Sequence, residues 1–276
     1  MTKNIRLDFE AGVGSICLDD GSRFNWLTPG YLDALAAVVD EAQERIRAGD
    51  IRALMIWGDA HFSAGESLEQ QRDWSTSSTS ALVPELQRQA EASLCLLDLP
   101  VPTVAIATGA VLRSGLALAW SCDLVLIGDE AWLGAHDARR QLHPAAALVP
   151  LAEQRLGRHK AREYFLTELD LEGRDASRAG LATETYSDPH AEAQKLCKRM
   201  AGFDGPQLQA MKQTLAIDKG AVLAALPTFV ERQAAALTSS AAKVAIAEAL
   251  KRRSAVFARA ESSPVSTSFA QIVDVL

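Results

Sequence analysis

The sequence predicts an α/β fold with a mainly parallel sheet and a C-terminal helical region. Three observations lead there. Strand–turn–helix–strand passages occur twice in the first half of the chain. Strands linked through helices pair mainly in parallel, with helices covering the sheet faces. From about Pro144 onwards, apolar residues recur at helical spacing almost without interruption. The chain has 276 residues, 48% of them hydrophobic, which suits one large domain or a domain with a small appendage.

The elements follow in order. Ile5–Phe9 and Val13–Leu18 alternate apolar and polar around a glycine and read as a β-hairpin. Thr28-Pro29 opens a helix to about Ala48, with Leu32, Leu35, Ala36, Val39 and Ala42 at helical spacing. Arg52–Trp57 is a buried strand. Pro84–Leu97 is a helix stopped by Pro100 and Pro102, Thr103–Ala107 a buried strand, Gly115–Ser121 a helix and Leu124–Ile127 a strand. Helical periodicity then covers Leu148–Leu156, Lys160–Leu166, Asp175–Ala179, Ala191–Met200, Gly205–Leu215 and Ala221–Ala249, with Gly157, Gly173 and Gly205 as stops. The run Ser75–Ser80 reads as a polar loop, either mobile over a ligand or an inert surface.

Composition narrows the function classes. The net charge of −7 and the lack of aromatic–basic interleaving exclude nucleic acid as the main partner. The apolar runs Leu142–Leu151 and Val101–Ala107 are too short or interrupted to span a membrane. Met1–Arg6 carries no apolar signal segment, so a cytoplasmic protein is expected. Cys17, Cys95, Cys122 and Cys197 form no C-x-x-C pair. They are expected as buried reduced thiols, with disulfides or a metal site the lesser alternatives.

Two stretches carry chemistry. His61-Phe62-Ser63-Ala64-Gly65-Glu66-Ser67-Leu68 follows the apolar run Ala53–Trp57, and Gly109–Ala119 ends in Cys122-Asp123. Each has a short strand, a turn of small residues and a helix-like run. A strand entering a helix through glycine leaves backbone N–H groups unpaired. Two such turns facing one point make an oxyanion hole.

These segments resemble the crotonase (enoyl-CoA hydratase/isomerase) superfamily, over about Ile5 to Phe257. Phe62, Ala64, Gly65 and Leu68 fit its signature F-x-A-G-x-D-L, with Ser67 in place of the acid. Gly109, Gly115, Leu118, Ala119, Cys122 and Asp123 fit N-G-x-A-x-G-G-G-x-E-L-A-x-x-C-D. The resemblance implies a crotonase-like spiral of ββα units across 1–200. It also implies a C-terminal helical trimerisation region across 201–260, a tail at 261–276, and a homotrimer or hexamer.

The resemblance implies site residues too. The oxyanion donors become the backbone amides of Glu66 and Ser114. The family's glycine triplet is Arg113-Ser114-Gly115 here, and Arg113 and Ser114 should resist positive φ, so a degenerate pocket is the alternative. Of the two hydratase glutamates, one corresponds to Ala117, which transfers no proton. The other aligns with Asp137 in Leu133–Pro144. Asp137 is the first acid/base candidate, its alternative an Asp paired with Arg139. Glu66 is the second, its alternative a helix-capping acid. His136 and His143 flank the same loop and have the imidazole's suitability for general-base work; His61 reads as structural. Arg113 could bind a substrate carboxylate, pair with Glu66 or Asp137, or stay solvated. Ser114 and Cys122 lack the G-x-S-x-G context of a nucleophile.

For the thioester carrier, Arg23-Phe24-Asn25-Trp26-Leu27 resembles the R-N-A-L stretch that contacts coenzyme A. Lys251, Arg252, Arg253 and Phe257 resemble the family's C-terminal basic–aromatic helix. With Ala64, Gly65, Leu68 and Gly115, these residues would hold the substrate. Three cations at a helix end also suit the macrodipole unaided. Three readings result. The first is an acyl-CoA or acyl-carrier-protein thioester enzyme working through an enolate. Isomerisation, decarboxylation or hydrolysis fit it better than hydration. The others are a CoA-independent carbon–carbon bond hydrolase and a non-catalytic thioester-binding or assembly protein. No cofactor beyond the thioester itself and no metal is expected.

Overall fold

The computed structural model describes residues 5–135, 137–168 and 171–262. The side chains of Arg139 and residues 254–262 lie outside that description. His136, Phe257 and most of the tail therefore fall outside the described features.

The hairpin forms as read: β1 (Arg6–Glu10) and β2 (Gly12–Leu18) pair antiparallel. Helix α1 (Pro29–Ala48) starts where Thr28 accepts a hydrogen bond from the Tyr31 amide. It ends at Gly49 in the left-handed region. Then come β3 (Ile51–Gly58), α2 (Leu68–Ser75), α3 (Thr79–Ala92), β4 (Thr103–Ala107), β5 (Ala110–Leu112), α4 (Ser114–Trp120), β6 (Leu124–Gly128) and β7 (Trp132–Gly134). The second half holds α5 (Leu148–Thr167), β8 (Leu171–Glu172), α6 (Gly173–Arg178), β9 (Glu184–Tyr186), α7 (Pro189–Ala201), α8 (Gly205–Leu215), α9 (Lys219–Leu237) and α10 (Ser240–Ser262).

Two sheets result. The larger has the order β1-β2-β3-β4-β6-β9, parallel from β2 onwards, and the smaller is β5-β7-β8. Each turn of chain gives one strand to each sheet and then a helix. β4–β5–α4 and β6–β7–α5 are two such ββα units. A third is β3, followed by the Ser63 bridge to Val111 and then α2. Alternation along the buried strands separates two cores. Ala53, Met55, Val104 and Ile106 face α7 through Ala193 and Cys197, whereas Leu54, Ile56, Ala105 and Ala107 face the large core.

Several expectations need correction. The Ser/Thr run is a loop only over the three residues 76–78: Ser75 ends α2, Ser78 caps α3 through the Ala81 amide, and Thr79 and Ser80 belong to α3. Small hydroxyl residues cap helices as readily as they fill loops, so composition alone misled. The run 221–249 is two helices meeting at Thr238-Ser239, and the short strands β8 and β9 interrupt the helical half. Gly157 does act as a break, at φ 73°, inside the continuous span of α5. Among the described residues the four cysteines are free, and no helix is long and apolar enough to cross a membrane.

Candidate active site

The first turn is built by contacts that leave no room for Cβ atoms. At Gly65 (φ +73°) a Cβ would lie 2.7 Å from the Leu112 carbonyl oxygen and 3.2 Å from the Ser114 amide nitrogen. The first turn thus rests directly on the second. The stretch holding Asn25 clamps it from behind: Asn25 Nδ2 donates to the carbonyls of His61 (2.9 Å) and Phe62 (3.2 Å). Ser63 Oγ donates to the Asn25 carbonyl and accepts from the Gly65 amide. Ser67 caps α2 through the Gln70 amide. Ser and Asp are comparable N-caps, which explains how Ser67 can occupy the family's acid position.

His61 is structural, as expected. Its Nδ1 accepts from the Ala110 amide at 3.1 Å and its ring stacks on Phe24. Burial, helped by Arg23, lowers its pKa to about 4. The folded state therefore binds this proton less tightly than the unfolded chain, and His61 contributes stability fully present above pH 6.5. That contribution is lost as the pH falls from 6.5 towards 4. The slope should be about 1.4 kcal/mol per pH unit within that window. Urea unfolding across it should show a flatter profile in His61→Asn, which keeps an acceptor for Ala110. An equal slope in both proteins would refute the assignment.

The second turn departs from expectation. Arg113 does adopt positive φ (51°, ψ −123°), despite its side chain. Its guanidinium is buried and compensates that strain with bonds back to the first turn. Nη2 donates to the carbonyls of Ala64 and Glu66, both at 2.9 Å, and Nε lies 3.7 Å from Glu66 Oε2. Ser114 supplies the first amide of α4, which no carbonyl of that helix can accept. The Ser114 hydroxyl donates to Glu66 Oε1 at 2.7 Å, and Gln89 Nε2 donates to the same oxygen at 2.9 Å. Glu66 therefore does not cap α2; it is fixed inside. A Cβ at Gly115 would stand 2.4 Å from the Ser63 carbonyl oxygen. Gly115→Ala should force the two turns apart and destabilise the fold by about 1–3 kcal/mol. Unchanged thermal unfolding in that variant would show that the turns can separate freely.

The third contributor is the loop after β7. Asp137 is buried, and its Oδ2 has no hydrogen-bond partner. Burial raises its carboxyl well above the usual range, Glu66 raises it further, and Arg113 opposes both. His143 lines the same space, with Nδ1 beside the Pro144 carbonyl (3.0 Å) and its ring tilted against Phe229. Its pKa is lowered, chiefly by burial. Glu66, Trp74, Arg113, Asp137, His143 and Gln233 border one small cavity of about 10 Å³. That volume holds about one water at most. Ala117 is wholly buried, as a core residue.

The outer candidates are less united. Ala64 and Leu68 are buried in the first turn and its helix. Arg23 is exposed and borders a separate cleft of about 420 Å³ with Arg6, Asp19 and Asp59, whose lining includes none of the cations of α10. Lys251 and Arg252 are exposed, whereas Arg253 forms a two-point ion pair with Glu69 of α2. Sequence reasoning missed Gln89, Gln233 and Arg140. The two glutamines had a signal, since each is a polar residue on an otherwise apolar helix face (Leu82, Leu86 and Ala90; Leu226, Val230 and Leu237).

Comparison with known proteins identifies the family and the fold. The family model described as enoyl-CoA hydratase/isomerase matches residues 8–257. The chain belongs to the enoyl-CoA hydratase/isomerase family. The crystal structure of an enoyl-CoA hydratase/isomerase from Xanthobacter autotrophicus superposes with a TM-score of 0.80 at 25% identity. The match covers 94% of this chain and 98% of that one. An enoyl-CoA hydratase/isomerase structure from Mycobacterium paratuberculosis gives 0.79 at 22% identity, covering 90% and 99%, and shows the shared fold. An enoyl-CoA isomerase/hydratase of Penicillium crustosum is 28% identical over 204 residues. That match spans 72% of this chain and 21% of the fungal protein. In this chain Arg113 and Glu66 form a buried pair between the two turns.

Proposed function

We propose that the protein processes an acyl-CoA thioester through an oxyanion-stabilised enolate, by isomerisation, decarboxylation or hydrolysis rather than hydration. Family membership supports the substrate class. The observation that carries the reading is the convergence of Asp137 and Glu66 on one small cavity beside the two abutting turns. The Glu66 and Ser114 amides would hold the thioester oxygen as negative charge develops, each worth about 3–4 kcal/mol at the transition state. Asp137, whose carboxyl burial pushes well above its ordinary range, would take the α-proton as the carboxylate and return it as the acid. Ser114 Oγ and Gln89 fix one oxygen of Glu66, so that its other oxygen and Arg113 set the charge beside Asp137. Ala117 leaves the position of the usual second proton carrier without chemistry, which disfavours hydration.

A single observation favours the second reading, a thioester-binding protein without turnover: the 10 Å³ cavity admits no acyl group as it stands. Arg253 of α10 pairs with Glu69 of α2, the helix whose Gln71 and Trp74 line that cavity. The deciding experiment incubates the protein in D₂O with a panel of acyl-CoAs and follows product mass and deuterium at the α-carbon. Deuterium uptake or a mass change would support the enzyme; binding without either, across the panel, would favour the binder. Delivery by an acyl carrier protein or a CoA-free diketone substrate are the remaining options, tested by extending the same panel. We further propose a homotrimer. Helix α8 buries none of its side chains, and Met211 and Leu215 stand exposed on it. Native mass spectrometry at three chain masses would support that assembly, and a monomer would refute it.

A further inference from the structure

Arg140 is the unexplained group of this molecule. It sits in the short turn Ala138–Arg140, 3% exposed, yet none of the described residues gives it an ion pair. Its Nη1 is buried without a hydrogen-bond partner. A buried cation is costly to fold unless an anion compensates it. Asp137 and, less strongly, Glu168 favour its charge, but Asp137 is itself pushed towards its neutral form. The charged group that acts on it most strongly is a second buried cation, Arg113. Burial first, and Arg113 second, bring Arg140 down to about 9. Arg252 of α10, which packs over the same turn, adds a third positive charge. Three guanidinium groups thus gather beside the proposed proton carrier, against the carboxyls of Asp137 and Glu168, and Arg140 Nη1 makes no hydrogen bond.

We propose that Arg140 is an anion receptor at this site, and that the acyl group the protein takes carries a carboxylate. Guanidinium groups bind carboxylates through paired N–H donors, with geometry that a lone ammonium lacks. Nη1 of Arg140 is free for such a bond. The substrate carboxylate would complete the charge of the Arg113–Arg140–Asp137 group and hold the chain next to Asp137. This deepens the acyl-thioester reading and rests on it for the nature of the substrate. Anion binding itself can be measured without turnover.

The test uses the full chain and thermal unfolding at constant ionic strength, with glutarate, phosphate or chloride. Glutarate should raise the midpoint saturably, by roughly 5–10 °C at a hundredfold excess over its dissociation constant. Arg140→Met should lose that rise while starting no lower than the wild type, because a buried charge has gone. Arg140→Lys should keep part of it. The preference for glutaryl-CoA over butyryl-CoA in the deuterium assay should fall about tenfold or more in Arg140→Met. An undiminished glutarate response in Arg140→Met, no response in the wild type, or a response to phosphate but not glutarate would overturn the proposal. Glutarate binding with no deuterium uptake from any thioester would instead refute the catalytic reading and leave the receptor standing.

Discussion

Arg113→Met should destabilise the protein by about 3–5 kcal/mol in urea unfolding. The substitution removes the cation beside the buried Glu66 carboxylate and leaves it without an ion-pair partner among the described residues. It also leaves the Ala64 and Glu66 carbonyls without their donor. Ser114 Oγ and Gln89 still hold Glu66 Oε1, but neither brings a charge. Adding Glu66→Gln should recover a large part of the loss, because the orphan charge disappears with its partner; the coupling is read from the double-mutant cycle. Arg113→Gly should be milder than Arg113→Met. At φ 51°, ψ −123°, glycine releases backbone strain of about 1–3 kcal/mol that a side chain must bear. A wild-type unfolding midpoint in Arg113→Met would mean that the pair contributes nothing to the fold.

The second large effect is on turnover. Asp137→Asn should lower the rate of α-deuterium exchange by about 10²–10⁴-fold, the usual contribution of a positioned acid/base. The amide keeps the size of the carboxyl and cannot carry the proton. Stability should respond in the opposite direction. In the unfolded chain Asp137 ionises near its ordinary 3.8, whereas in the folded chain burial keeps it protonated to well above that value. Between those two values the unfolded state has released a proton that the folded state retains, so stability falls as pH rises. Below about 3.8 both states are protonated and the effect vanishes. Asp137→Asn should therefore match the wild type in acid and exceed it increasingly as pH rises through that window. A variant with full exchange activity would remove Asp137 from the mechanism.

Much of this was legible in the chain itself. The hairpin, α1 with its Thr28 cap, the buried strands β3 and β4, and α4 follow from alternation, helical spacing and capping chemistry. Gly65 and Gly115 marked the two turns because only glycine allows the approach seen there. Asp137 and Glu66 could be named as candidates, but their directions could not. Glu66 had two exits from its turn, outward as a cap or inward to Ser114, and its neighbours permitted both.

The sequence by itself determined the class of fold, the order of its elements and the places where two turns expose backbone amides. These depend on local torsions and on short-range periodicity, which neighbouring residues dictate. Only the tertiary structure decided what fills the site. Glu66 meets Gln89 and Ser114, 23 and 48 positions away, and Arg113 turns back to a first turn 47 positions earlier. Arg140 is buried because α10 packs over a turn more than a hundred residues before it in the chain. Such contacts are fixed by how the two sheets and the C-terminal helices stack. A charged side chain there acquires its partner, or goes without one, from packing that no local pattern encodes.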